Sequence, residues 1–236
     1  MFNSIRKFFA GMPAQTSQAT QQFRQRQATL ERIDVTAFAG DFDLNWLASV
    51  KNSPVWMTRA ERLMVFSLAF CLRPQRYLEI GTFQGGSALL VGSALDALKS
   101  DGRMYLVDPE PKISAENWQR IAHRAEIFKG YSPEILQAVA AKAGQAFDLV
   151  LIDGDHTYKG AKRDAMGVLP YIAPGGYILF HDSFFPEVRR AIDEFVDEHS
   201  ERMIDFGLLT REITVQTSEE NARVEWGGLR MLYVAG

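Results

Sequence analysis

From residue 54 onward, short apolar runs alternate with amphipathic stretches, and that alternation restricts the fold more than any other feature of the chain. Residues 76–80, 103–107, 125–128, 147–152 and 177–180 read as strands. The run at 147–152 is almost continuously apolar, as expected of a strand covered by helices on both faces. Thr58-Arg59-Ala60-Glu61 has the spacing of a capping box and opens a helix through Leu63, Phe66 and Phe70. Residues 87–99 and 158–169 read as further helices. Ser132-Pro133-Glu134 reads as a helix start, with Ile135, Leu136 and Val139 turned inward and a stop at Gly144. Pro174-Gly175-Gly176 reads as a turn, and a helix over 186–198 groups Val188, Ile192, Phe195 and Val196 on one face. Three tail segments, 203–209, 212–217 and 229–234, are expected as antiparallel strands that close the sheet. The predicted class is α/β: a doubly wound, mainly parallel sheet with right-handed crossovers and an antiparallel C-terminal hairpin. In such sheets ligands sit at the carboxyl ends of the strands, near the point where the strand order reverses.

The first forty residues differ. Six glutamines lie between Gln15 and Gln27, and Phe2, Ile5, Phe8 and Phe9 share a helical face beside Arg6 and Lys7. The segment lacks the apolar run of a signal peptide. It reads as an arm, flexible or packed on a second copy in a homo-oligomer, with a membrane-surface helix as the other reading. Residues 41–236 read as one domain. No apolar run reaches the roughly 18–20 residues of a membrane-spanning helix. The formal net charge of −3 supplies no basic field for nucleic acid. A single cysteine, Cys71, excludes an internal disulfide and is expected in the core of a protein from a reducing, cytoplasmic compartment.

Polar residues gather at the strand ends. The first strand ends in Glu79-Ile80-Gly81-Thr82-Phe83-Gln84-Gly85-Gly86-Ser87. Its glycines permit a tight turn and close approach of a ligand, and the following helix offers free N–H groups. A dinucleotide fingerprint requires G-x-G-x-x-G; the spacing here is G-x-x-x-G-G, with an acid two places ahead of it, which suits a cationic ligand without phosphate. Asp108 ends the second strand, where a carboxylate accepts from both hydroxyls of a ribose. The third is followed by Gly130-Tyr131-Ser132, placed to border an adenine.

The fourth strand ends in Asp153-Gly154-Asp155-His156 and the fifth in His181-Asp182, with His181 28 positions after Asp153. On neighbouring parallel strands, Asp153, His181 and Asp182 converge on one hard-to-borderline divalent cation, or form a hydrogen-bonded cluster without one. His123 and His199 read as surface histidines.

Taken in series, these motifs resemble the class I S-adenosylmethionine-dependent methyltransferases, and more narrowly the catechol, deoxysugar and macrolide O-methyltransferases. The resemblance covers roughly residues 54–236 and implies a Rossmann-like methyltransferase fold. It implies that S-adenosylmethionine is held by Glu79, Gly81, Thr82, Phe83, Gly85, Ser87, Asp108, Gly130, Tyr131, Ser132 and Asp153. Glu79 and Gly81 then border its methionine end, Asp108 the ribose, and Tyr131 and Ser132 the adenine. It further implies metal ligation by Asp153, His181 and Asp182, and a general base at His156, with Asp155 as the competing residue. The family usually has Asp or Glu where this chain has His181, which shifts the expected cation from Mg toward Mn, Fe or Zn, or to no metal. The implied acceptor is a hydroxyl of a small molecule, such as a sugar or natural product. A nicotinamide oxidoreductase and a non-catalytic assembly subunit that keeps the cofactor pocket are the rival readings.

Overall fold

All five parallel strands read in the sequence enter one seven-stranded sheet. In the computed structural model, which describes residues 44–217 and 223–235, the chain runs through α1 (Leu47–Asn52), α2 (Arg59–Leu72), β1 (Arg76–Ile80), α3 (Gly86–Ala97), β2 (Arg103–Asp108), α4 (Ala115–Ile121), β3 (Ala125–Lys129) and α5 (Leu136–Ala143). It continues through β4 (Phe147–Ile152), α6 (Tyr158–Val168), β5 (Ile172–Phe180), α7 (Pro186–Glu198), β6 (Met203–Leu208), β7 (Thr214–Thr217), β8 (Arg223–Trp226) and β9 (Arg230–Val234). The main sheet has the order β3-β2-β1-β4-β5-β9-β6. β1 to β5 are parallel, and β9 runs antiparallel to both β5 and β6. The order reverses between β1 and β4, so the carboxyl ends of these two strands open a crevice. The expectations for residues 1–40 lie outside the described residues. No helix among the described residues is long and apolar enough to cross a membrane.

Strand alternation divides the core into two layers. On one face Leu78, Ile80, Val107, Val150, Ile152, Ile178 and Phe180 pack under α5, α6 and α7 through Leu136, Val168 and Phe195. On the other, Tyr77, Leu106, Leu149, Leu151 and Leu179 pack under α2 and α3 through Phe66, Leu89 and Leu90. The capping box at α2 is complete: Glu61 N donates to Thr58 Oγ1, and Thr58 N donates to Glu61 Oε2 at 2.7 Å.

Four local expectations are corrected. α5 begins at Leu136 rather than at Ser132, with Ile135 at the N-cap; Ile135 is pulled against Gly130, where no side chain intervenes, and tertiary packing overrides the Ser-Pro signal. Pro174-Gly175-Gly176 lies inside β5, accommodated by a register shift against β4 and by Gly175 at φ 80°. Of the tail segments, β6 and β9 join the main sheet, whereas β7 pairs with β8 in a separate two-stranded hairpin. Cys71 is exposed, because the buried stripe of α2 runs through Val65, Phe66 and Ala69 and leaves position 71 on the outer side.

Candidate active site

The carboxyl ends of β1, β2, β4 and β5 wall a cavity of about 970 Å³, within the size usual for small-molecule sites. The β1 turn forms its floor. Gly81 sits at φ 88°, and a Cβ there would lie 2.0 Å from the Asp153 carbonyl oxygen, so only glycine lets the two strand ends meet. Phe83 N donates to Asp108 Oδ2 at 2.7 Å and Glu110 N to Asp108 Oδ1 at 2.7 Å, which fixes this buried carboxylate at the cavity edge with further lone pairs to offer. Thr82 Oγ1 is buried without a hydrogen-bond partner beside it.

Gly81, Thr82, Phe83, Ser87, Asp108, Tyr131, Asp153, Asp155, His156, His181 and Asp182 all line the cavity. Four residues expected there do not. Glu79 lies beneath the floor, fully buried, because it shares the inward face of β1 with Tyr77, whose hydroxyl donates to its Oε2 at 2.6 Å. Burial pushes the Glu79 carboxyl up to about 7, with the Tyr77 bond pulling the other way. Gly85 is the N-cap of α3 and backs onto Ile113, and Gly130 backs onto Ile135. Ser132 is buried beside Asp164, and its hydroxyl has no hydrogen-bond partner.

The opposite wall holds the titratable cluster. His181 Nδ1 lies 3.0 Å from Asp153 Oδ1 and 3.2 Å from Asp182 Oδ2, and His156 Nε2 lies 2.9 Å from the same Asp182 oxygen. Asp182 adopts φ 52°, and its second oxygen accepts from Gly227 N at 2.6 Å, which ties the strand end to the β8–β9 connection. The facing carboxylates of Asp153 and Asp182 outweigh burial and push His156 up to about 9. Burial disfavours charge on Asp182, yet the two imidazoles hold its carboxyl well below the usual carboxylate range. Asp155 lines the cavity but stays outside the cluster: its Oδ1 accepts from Thr157 N at 2.9 Å, and the residue is exposed. Asp153, His181 and Asp182 each offer a ligand atom within 4.8 Å of the others, so their donor set of two carboxylates and one imidazole fits a borderline divalent cation. His123, on the far surface, pairs with Asp96.

Sequence reading missed several wall residues. Glu61 was legible only as a cap, yet its Oε2 lies 3.5 Å from His181 Nε2. Arg62 donates to the carbonyls of Met57 and Ser53, at 3.0 and 2.9 Å, and fastens the segment whose Val55, Trp56 and Met57 wall the cavity. Trp226, on β8, stacks on Phe185 at 4.4 Å and meets His156 edge-on at 5.6 Å. Only the Gly227-Gly228 pair after Trp226 hinted at a constrained turn in that tail.

Residues 78–183, which run from within β1 through β5 and include every strand-end residue described above, match a family described as a methyltransferase domain. An uncharacterized protein of Acanthamoeba polyphaga mimivirus is 28% identical over 129 residues, which cover 51% of this chain and 58% of that protein. The chain thus spans little more than half the length of this relative. Among solved structures, the O-methyltransferase TomG from Streptomyces achromogenes, involved in tomaymycin synthesis and solved with SAM, superposes with a TM-score of 0.57 at 16% identity, covering 95% of this chain and 100% of that one. The O-methyltransferase from Bacillus cereus solved with SAH gives 0.55 at 16% identity, covering 98% of this chain and 97% of that one. The chain therefore has the Rossmann-like fold of these solved methyltransferases, and residues 78–183 are similar to the family described as a methyltransferase domain.

Proposed function

We propose that the protein transfers the methyl group of S-adenosylmethionine to a hydroxyl of a small molecule, assisted by a divalent cation. The observation that carries this reading is one cavity joining two different surfaces: the glycine turn with Asp108 on one side, and the Asp153–His181–Asp182 cluster with His156 on the other. Bound S-adenosylmethionine supplies an electrophilic methyl group, so the chain's task is to align a nucleophilic oxygen and take its proton.

Asp108 accepts from the ribose hydroxyls in this reading, and the Gly81 turn lets the backbone approach the methionine end. His156 takes the substrate proton, and its Nε2 is turned to Asp182, which orients the ring. In the cluster as described, Asp153 and Asp182 keep His156 cationic at neutral pH, which is the wrong form for a base. A cation bound by Asp153, His181 and Asp182 would lower the pKa of a coordinated hydroxyl and draw off the negative charge that raises His156. With S-adenosylmethionine bound, its sulfur–methyl bond would break as the oxygen–methyl bond forms, and His156 would take the hydroxyl proton. Trp226 and the β7–β8 residues Thr214 and Gln216 wall the space beyond the cluster, where the acceptor enters.

Exposed Ile204, Phe206 and Leu208, spaced two apart along the edge strand β6, support assembly as a homo-oligomer. The proposed compartment is the cytoplasm. Incubating the protein with labelled S-adenosylmethionine, Mn²⁺ and a library of hydroxyl compounds tests the activity by mass spectrometry. The expected result is a methylated product; methyl transfer to amines or thiols alone overturns the hydroxyl assignment.

A further inference from the structure

Glu61 is a fully buried carboxylate on α2, an element that supplies none of the residues assigned above to cofactor, cation or proton transfer. Every contact it makes is directional. Oε2 accepts from Thr58 N, and Oε1 accepts from Gly228 N at 2.5 Å, so the carboxylate cannot rotate freely. Its Oε2 then lies 3.5 Å from Nε2 of His181, a ring nitrogen that is buried and has no hydrogen-bond partner of good geometry. The other ring nitrogen of His181 faces Asp153 and Asp182.

An imidazole that binds a metal through one nitrogen commonly donates the N–H of the other to a carboxylate, which fixes its tautomer and ring orientation and raises its basicity. His181 meets these conditions with Glu61 on one side and the candidate cation site on the other. We infer that Glu61 is the positioning residue of the cation site: it accepts the Nε2–H of His181 and so leaves Nδ1 free to bind a divalent cation together with Asp153 and Asp182. The inference rests on the cation in the functional reading above. It explains why the third residue of α2 is a glutamate whose second oxygen is spent on Gly228, 167 residues away, rather than on solvent. It also accounts for a histidine at a metal position, since imidazole with two carboxylates selects Mn, Fe or Zn over Mg.

The test is a Mn²⁺ titration of the full-length protein, reading free Mn²⁺ by electron paramagnetic resonance. Wild type is expected to bind one Mn²⁺, and Glu61→Gln to bind it roughly 10- to 100-fold more weakly, the usual cost of losing such a partner. S-adenosylhomocysteine affinity should be unchanged. Thr58→Ala breaks the cap but leaves the Glu61 carboxylate in place, and should keep Mn²⁺ affinity within about twofold of wild type, against the tenfold or greater loss on removing the carboxylate. Equal losses in Thr58→Ala and Glu61→Gln would make the role merely structural and overturn the inference. Unchanged binding in Glu61→Gln overturns it while leaving the cation reading intact; no binding by wild type overturns both. Should Glu61→Gln not fold, nitrogen-15 spectra of histidine-labelled wild type with Zn²⁺ decide instead. Zn²⁺ on Nδ1 with a retained Nε2 proton supports the inference, and Zn²⁺ on Nε2 overturns it.

Discussion

His156 Nε2 and Asp182 Oδ2 lie 2.9 Å apart, although the two residues come from the ends of different strands. Asp155, adjacent in sequence to His156, is instead occupied in the turn that enters α6, where it accepts from Thr157 N. The pleat does not persist past Gly154, so neighbouring residues part, and only the imidazole reaches the cluster.

The expected kinetic consequence is a sharp asymmetry. His156→Ala should lower kcat by roughly 10²- to 10⁴-fold, the usual range for a lost acid–base group. Asp155→Asn should leave kcat within a few-fold of wild type, since an asparagine still accepts from Thr157 N. Steady-state kinetics with saturating cofactor measures both, and the reverse order would move the base to Asp155.

Chelation should separate turnover from cofactor binding. Asp108 lies on the cofactor side of the cavity, and neither His181 nor Asp182 is among the residues assigned to the cofactor. Excess chelator, or Asp182→Asn, should abolish methyl transfer while calorimetry shows S-adenosylhomocysteine affinity within about twofold, because no cofactor hydrogen bond is lost. Full activity in chelator would assign the cluster a metal-free role.

Glu79 should make stability fall as pH rises through the weakly acidic range. Its folded pKa of about 7 stands above the usual value of 4.5, so the folded state holds the proton more tightly than the unfolded state. The contribution is complete below about pH 4.5 and is lost as pH rises to about 7, amounting to about 3 kcal/mol from the linkage of pKa to folding. Glu79→Gln should remove that slope from a plot of Tm against pH between 4.5 and 7.5. Parallel curves for the two proteins would show that Glu79 does not titrate in this window.

Gly81→Ala should be among the costliest single changes. The added Cβ would meet the Asp153 carbonyl oxygen at 2.0 Å, at a φ of 88° that side chains avoid. A loss of about 3 kcal/mol or more is expected from the clash and the backbone strain together. Urea unfolding reads it, and an unchanged midpoint would mean that the turn relaxes without cost.

The main sheet was legible because its strands are short apolar runs with abrupt polar ends, and the same polar ends marked Asp108, Asp153, His156, His181 and Asp182. What escaped was set by tertiary contact. Glu61 looked complete as a capping residue, since nothing local signals that its other oxygen meets Gly228 N. Ser132 looked like a helix cap until the packing of Ile135 against Gly130 displaced the helix start. Glu79 was placed beside the ligand on its spacing from Gly81. Strand alternation turns it under the floor with Tyr77 instead, a direction that the glycine spacing does not encode. β8 escaped because a four-residue strand carrying two charges, Arg223 and Glu225, lacks an apolar run.

The central claim, that this cavity takes S-adenosylmethionine with Asp108 on the ribose, is tested most directly by isothermal calorimetry of the full-length protein with S-adenosylhomocysteine. Wild type should bind one equivalent, and NAD should give no heat. Asp108→Ala should weaken S-adenosylhomocysteine by roughly 10- to 150-fold, the worth of charge-assisted hydrogen bonds of about 1.5–3 kcal/mol. Binding of NAD in preference to S-adenosylhomocysteine, or an Asp108→Ala variant with wild-type affinity, would contradict the account.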